Sequence, residues 1–539
     1  MKKNCGCDLA MFTHLSGVAI RKLPLFITLF ACIDLFAQLS QPARYEHEHK
    51  GSDHEFILIP MGEKGIALVR DTEKYEDGKK TWEVILLDSA LQEKFNSKIT
   101  VNQRMNILGH DYRDGNVYLL FHEPENAAQN LNLTEVLADQ TIKQHTIKPE
   151  VNIHFTHFSV MKGKAIFGGY ISKQPALLLY DISSEVLKIV PGISESNVEL
   201  MDVRVNSNDT FNALLMAGRY SAKERKLIVK TFDETGVLLV DDMIPVEEGK
   251  TIIEAITSSL IHDEMIIIGV WTYNSGKQAA GVFSVVVDPF KEQVVNYYDF
   301  AQLSHFLEYL KPKRVAKIKA KAEERRRAGK NPEFRASLSV LKIDETPNGF
   351  SFLGEAYDPS SGYNRSNSPY GYSNPYSLYN PYGFPSYNFP SRYYNPYALP
   401  YNSPPVVSDT RMLSSAVLFF DALGKLTSDY SMKLPDIKVA SKEQVSDYVS
   451  HHGIITMVSK DEKEITVKAY ITESDTIKEA KVKPELKNKT EVIRSETRDD
   501  SSIRAWYGRF FYVYGYHTVR NEQEKKSRDV FYINKIKAE

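Results

Sequence analysis

Short apolar runs that close on an acidic turn recur along nearly the whole chain, and they constrain its fold more than any other feature. The pattern appears at Leu87-Asp88, Tyr180-Asp181, Phe232-Asp233, Val287-Asp288 and Phe420-Asp421, with weaker versions near Asp139 and Asp475. Between them lie runs opened by a polar turn and often ended by glycine, such as Asp114 to Phe121, Lys162 to Tyr170, Asn208 to Gly218 and His262 to Gly269. These runs are too short for helices and rich in β-branched residues, so they predict strands. Phe232 to Gly236 and Phe420 to Gly424 predict hairpins, with Asp starting the turn and Gly taking positive φ.

The acidic turns come roughly every 40 to 55 residues, apart from one long gap between Asp288 and Asp421. About four strands per unit at this period predicts an all-β fold, a β-propeller of seven or eight four-stranded blades. Tandem β-sandwiches are the alternative. The last unit stops near its third strand, and the segment around Tyr45 or Phe56 could complete it and leave no open edge. The units resemble those of secreted bacterial β-propellers, in which an inner hairpin runs polar turn, Gly, apolar run, Gly. The resemblance is one of architecture. No WD series, kelch double-glycine series or Asp-box repeat is present, so no named family lends functional residues.

The remainder of the chain suits such a fold. At 42% hydrophobic and 25% charged, the composition allows a large core, and a net charge of -2 leaves steering of an anionic partner to local patches. Residues 1–37 read as a removed signal peptide: Arg21 and Lys22 precede a mostly apolar run from Leu23 to Phe36, too short to span a bilayer, with Ala37 at the cleavage point. Export to the periplasm or cell surface follows; a lipoprotein anchored through Cys32 is the minor alternative. All three cysteines (Cys5, Cys7, Cys32) lie in this segment, so a mature chain would carry no disulfide and no thiolate. Residues 38–55 are expected to be a linker or the closing strand, and 56–536 a single propeller domain.

The long gap holds two insertions, at 301–336 and 357–410. Leu303, Phe306 and Leu310 fall at helical spacing, Pro312 breaks or restarts a helix, Val315, Ile318 and Ala322 form a second stripe, and Gly329 with Asn331-Pro332 ends it. This helix is basic through Lys311, Lys313, Arg314, Lys317, Lys319, Lys321, Arg325, Arg326 and Arg327. Ser337 to Ile343 and Phe350 to Ala356 read as the first two strands of the next unit, and Arg411 to Phe420 and Lys425 to Met432 as its last two. Between the pairs lies a Tyr/Pro-rich tract with Tyr370, Tyr376, Tyr382, Tyr393 and Tyr397 as stacking candidates. Connections between blades and connections between second and third strands leave an up-and-down blade on the same face. The two insertions are therefore expected to share one surface.

Catalytic patterns are mostly absent, although scattered carboxylates could still pair as acid and base where loops of different blades converge. There is no His-Glu-x-x-His, no Gly-x-Ser-x-Gly elbow, and Glu248 to Thr251 lacks the first glycine of a phosphate loop, where Ile244 stands. His47-Glu-His49 with Asp53-His-Glu55 has metal-like residue types beside an incidental polar linker as the plainer reading, so no metal and no cofactor is implied. The expected function is a non-enzymatic exported scaffold that binds a protein or glycan of the cell envelope through the basic helix and tyrosine tract. No specific nucleic acid and no transmembrane segment in the mature chain are expected. The alternatives are a propeller hydrolase or lyase acting on carbohydrate, and an envelope-associated binder of anionic polymer or lipid. For the basic run the plainer reading is a solvated helix on the rim; for the tract, a loop over the propeller mouth.

Overall fold

The computed structural model describes residues 39–538 apart from 51–53, 124–129, 196, 219–224, 261–264, 275, 277, 289, 359–409, 435–436, 440–443, 462–463, 489 and 497–500. Its strands form eight antiparallel sheets, the blades of a β-propeller numbered 1 to 8 along the chain from Ile57. Blade 3 shows the plan, with His154–Met161, Lys164–Ile171, Gln174–Asp181 and Val186–Val190 in order from the axis outward. The inner strands of successive blades adjoin one another around the ring.

Both faces of each blade are covered, which is why the strands read as continuous apolar runs rather than alternating ones. In Met265–Tyr273 of blade 5, Ile266, Ile268 and Val270 join the core shared with blade 6, while Met265, Ile267 and Trp271 join the core shared with blade 4. Among the described residues, each of eight apolar clusters sits between two neighbouring blades. A sandwich would have one core and two wet faces, so the tandem-sandwich alternative is not what forms.

Blade 8 closes the circle. Its third strand, Ser527–Ala538, is flanked on the outside by Leu39–Glu48, paired from Leu39↔Ala538 to Glu48↔Val530 with one register shift between Ser40 and Ala43. The adjoining core brings Phe531 and Ile533 of blade 8 against Ile66, Leu68 and Ile85 of blade 1. Strands Leu39–Glu48 and Ser527–Ala538 therefore share one sheet, as the incomplete last unit requires.

Two details of the repeat acquire a cause. The acidic turns join third strands to fourth strands, all on one face. Asp233 accepts N–H bonds from Thr235 and Val237 at 2.8 and 2.9 Å with Gly236 at φ 78°, and Asp421 accepts from Leu423 and Lys425 at 2.9 and 2.8 Å. The glycines near the ends of second strands face bulges in the inner strands. A Cβ at Gly169 would lie 2.1 Å from the His154 carbonyl oxygen, and one at Gly269 would lie 2.2 Å from that of Glu254. Only glycine permits this approach.

Candidate interaction surface

The connection from blade 5 to blade 6 leaves Asp299 and re-enters at Ser337, on the face opposite the acidic turns. Its first part does not form the helix its spacing suggested. Phe300 and Phe306 stack with centroids 4.3 Å apart, and Leu303, Phe306 and Leu307 are fully buried between blades 5 and 6. Only Phe306–Tyr309 is helical, as a single 3-10 turn. The reason is a carboxylate from the outer strand of blade 6: Asp429 accepts the N–H groups of Ser304, His305 and Phe306 at 2.7, 2.7 and 3.0 Å. These bonds fix a turn where a helix would need the chain to continue straight. Ser431 donates to the His305 carbonyl at 2.7 Å, and Lys468 of blade 7 reaches Glu308 at 3.1 Å. The Glu308 carboxylate, 2.6 Å from His305 Nδ1, lifts that imidazole above its ordinary value.

The helix Pro312–Arg327 follows, with Pro in its first turn and Gly329 just past its end at φ 65°. Val315, Ile318 and buried Ala322 hold it against the core of blades 5 and 6. The expected stripe is thus the seam between helix and propeller.

The nine cations divide along the helix. Five spend their charge inside the insertion or on the blade beneath. Lys319 donates to the Ser304 carbonyl at 3.0 Å, Lys321 and Arg325 pair with Glu333 at 2.5 and 2.7 Å, Arg326 pairs with Asp299 at 2.8 Å, and Arg327 pairs with Glu323 at 3.1 Å. The other four, Lys311, Lys313, Arg314 and Lys317, are exposed and have no ion pair among the described residues. They crowd the N-terminal end, where the first turn holds no acid. The helix dipole is positive at that end, so the placement opposes the helix's own electrostatics and concentrates uncompensated charge.

The tyrosine tract begins and ends beside this insertion. Tyr357 lies opposite Ser337 on one side and Met412 on the other, and Thr410 pairs with Val439. Tyr357 and Thr410 belong to strands, and Tyr357 is buried, so the tract is shorter at both ends than its composition suggested. Tyr370, Tyr376, Tyr382, Tyr393 and Tyr397 lie outside the described residues.

The buried ionisable groups nearer the axis serve the ring. Asp111 of blade 2 accepts the Val160 N–H and the Ser159 hydroxyl of blade 3 at 2.7 and 3.1 Å. Asp202 does the same for the Thr257 N–H and hydroxyl of blade 5, both at 3.0 Å, and Asp447 for the Ala505 N–H of blade 8 at 2.8 Å. Glu355 accepts from the Ser446 N–H and hydroxyl of blade 7, at 2.8 and 2.5 Å. Lys342 sits between Asp344 and Asp447 at 3.0 and 2.7 Å. Burial pushes Asp111 and Glu355 up to about 7 and drops His110, His122 and His157 to about 4. Sequence reasoning missed these staples. Their one signal was an acid inside an otherwise apolar inner strand, as at Met201-Asp202-Val203.

The His47 to Glu55 segment does not gather into a metal site among the described residues. His47 Nε2 lies 3.0 Å from the Arg70 guanidinium, a cation where a metal would need the lone pair, and Asp53 lies outside the described residues. His452 and Gly453 form the turn between the strands Ser446–His451 and Ile454–Lys460, His452 at φ 45°. No described helix is long and apolar enough to cross a membrane.

No family model and no curated protein matches the sequence. Among solved structures the chain is similar to the polysaccharide lyase Uly1, with 9% identity over 90% of this chain and 100% of that one at a TM-score of 0.37. It is also similar to the β-propeller domain of the Trilobed protease from Pyrococcus furiosus, with 8% identity over 80% and 93% at 0.33. The Nup133 β-propeller domain from Vanderwaltozyma polyspora gives 9% identity over 86% and 99% at 0.37. At this level the assignment to propellers rests on the eight sheets themselves, and none of the three lends this chain a chemistry.

Proposed function

We propose that this chain is a non-enzymatic interaction scaffold that binds an anionic protein or glycan of the cell envelope through its insertion-bearing face, after export and removal of residues 1–37. One observation carries the reading: a helix clamped to two blades presents four uncompensated cations at its N-terminal end, on the face from which the tyrosine-rich tract also leaves. Clamping lowers the entropy lost on binding, and exposed like charges steer an anionic partner. The commitment of Asp111, Asp202, Asp447 and Glu355 to neighbouring backbones supports a scaffold over a carbohydrate hydrolase or lyase, whose acid and base must be free to meet substrate.

The test uses heparin and poly-glutamate as probes, titrated at increasing salt. Replacing Lys311, Lys313, Arg314 and Lys317 by Glu is expected to weaken binding by about tenfold or more and to flatten its salt dependence. Excising 360–408 behind a short Gly/Ser linker should keep the fold, because Asp358 and Arg411 are register partners, and should lower affinity for tyrosine-contacting partners only. Unchanged binding by the charge-reversed variant, or turnover of a polysaccharide by the wild-type protein, would overturn the proposal.

A further inference from the structure

The insertion is fastened at two depths. Deep in the seam, Asp429 and the stacked pair Phe300 and Phe306 lock it to blades 5 and 6. Nearer the surface, three ionisable side chains tie it to blade 7. His305 Nδ1 lies 2.6 Å from one oxygen of Glu308, and the other oxygen of that carboxylate lies 3.1 Å from Lys468 Nζ. A single acid thus joins a histidine of the insertion to a lysine of blade 7, just ahead of the helix that begins at Pro312.

The imidazole packs against two tyrosines. It lies parallel to the Tyr430 ring of blade 6 with centroids 6.0 Å apart, and edge-on to the Tyr470 ring of blade 7 at 5.7 Å. Two carboxylates face it, Glu308 and Asp429, the second of which takes its backbone N–H at 2.7 Å. Lys468 stands beyond Glu308 with Glu479 3.7 Å away, and Lys319 is turned to the Ser304 carbonyl. The Glu308 bond outweighs burial and the Lys468 charge, so the imidazole is lifted above 6.5. In this His305 differs from His110, His122, His154, His157 and His517, which burial lowers. The His305 side chain keeps 31% of its surface exposed and that of Glu308 39%, so the proton exchanges with water without the opening of a blade.

We propose that His305, Glu308 and Lys468 form a proton-operated catch, which fastens the root of the basic helix to blade 7 at mildly acidic pH and slackens above neutrality. With His305 protonated, two cations grip Glu308 from opposite sides. With His305 neutral, Glu308 keeps Lys468 and at most an uncharged bond from the imidazole, and charge-assisted bonds are the stronger kind. A group whose pKa rises on folding lends stability in full below its unfolded value, here 6.5, and loses it as pH climbs through the folded one. The imidazolium also adds a positive charge near the end of the helix that carries Lys311, Lys313, Arg314 and Lys317. For its bearing on binding the catch rests on the contact surface proposed for this face, but the catch itself needs no partner.

Hydrogen exchange of the free full chain at about pH 6 and about pH 8.5, each corrected for the intrinsic rate, is the test. Residues 304–311 are expected to open about two- to fivefold more readily at the higher pH, the range that a solvent-facing ion pair commands, with blades 1 to 4 unchanged. His305→Gln keeps a donor but does not titrate in this range, so the difference should vanish in that variant at unchanged melting temperature. Glu308→Gln should open at the faster rate at both values. Lys468→Met, which cuts the tie to blade 7, should open the segment more readily at pH 6. Equal opening of the wild type at the two pH values, a pH difference that survives His305→Gln, or no effect of Lys468→Met would overturn the proposal. Because no ligand is present, the result is independent of whether this face binds heparin.

Discussion

His110 and Asp111 are neighbours on one inner strand, and burial drives them in opposite directions. The His110 imidazole falls from 6.5 to about 4, so it is neutral in the folded protein at a pH where the unfolded chain would protonate it. Folding therefore releases a proton in that interval, and this contribution to stability is lost as pH falls from about 6.5 towards 4. Asp111, raised from 3.8 to about 7, takes up a proton on folding, and its contribution is lost as pH rises through the same range. The two nearly cancel in the wild-type profile, so a single variant is needed to see either. Replacing His110 by Leu should improve stability at pH 5 relative to pH 7 by about 2 kcal/mol compared with wild type, measured by denaturant melts at both values. An identical pH dependence in the two proteins would show that His110 is not held neutral. None of this was legible in the sequence, because an inner-strand histidine looks the same whether it faces the channel, the next blade or a ligand. The acidic turns were legible, since Asp and Gly at fixed spacing define their own turn without help from distant residues.

The insertion was legible in its second half and misleading in its first. Pro312, the stripe Val315, Ile318 and Ala322, and Gly329 act locally, and the helix forms where they place it. Leu303, Phe306 and Leu310 also have helical spacing, but Asp429, more than a hundred residues later, takes three N–H groups and imposes a turn. Tertiary contacts outweighed the local pattern there. The same residue provides the test of the clamp. Replacing buried Asp429 by Ala leaves three donors without their acceptor and should cost about 2–4 kcal/mol locally. Hydrogen exchange is expected to quicken across 303–318 and to stay unchanged in blades 1 to 4. Exchange that quickens throughout the ring would mean that the insertion is integral to the propeller rather than clamped onto it. The division of the cations was also beyond sequence reasoning. Charge counts gave nine equivalent residues, whereas pairing with Glu323, Glu333 and Asp299 and the bond of Lys319 to the Ser304 carbonyl leave four.

At the scale of the molecule, the repeat period and the missing last strand make the ring readable from the sequence. They also put both insertions on one face; the structure adds that the acidic turns lie on the other. Closure by Leu39–Glu48 implies that deleting residues 39–48 uncovers the Ser527–Ala538 edge and removes Tyr45 from the core of blades 8 and 1. That variant should melt at lower temperature and self-associate in light scattering, and a monomer of unchanged melting temperature would refute closure by this strand. The central claim is that partners are met by the insertion-bearing face. Hydrogen exchange of the full chain with and without bound heparin tests it most directly. Protection is expected across 304–336 and at the strand ends flanking the tract, with none at the turns of Asp88, Asp181, Asp233 or Asp421. Protection confined to those turns would contradict it.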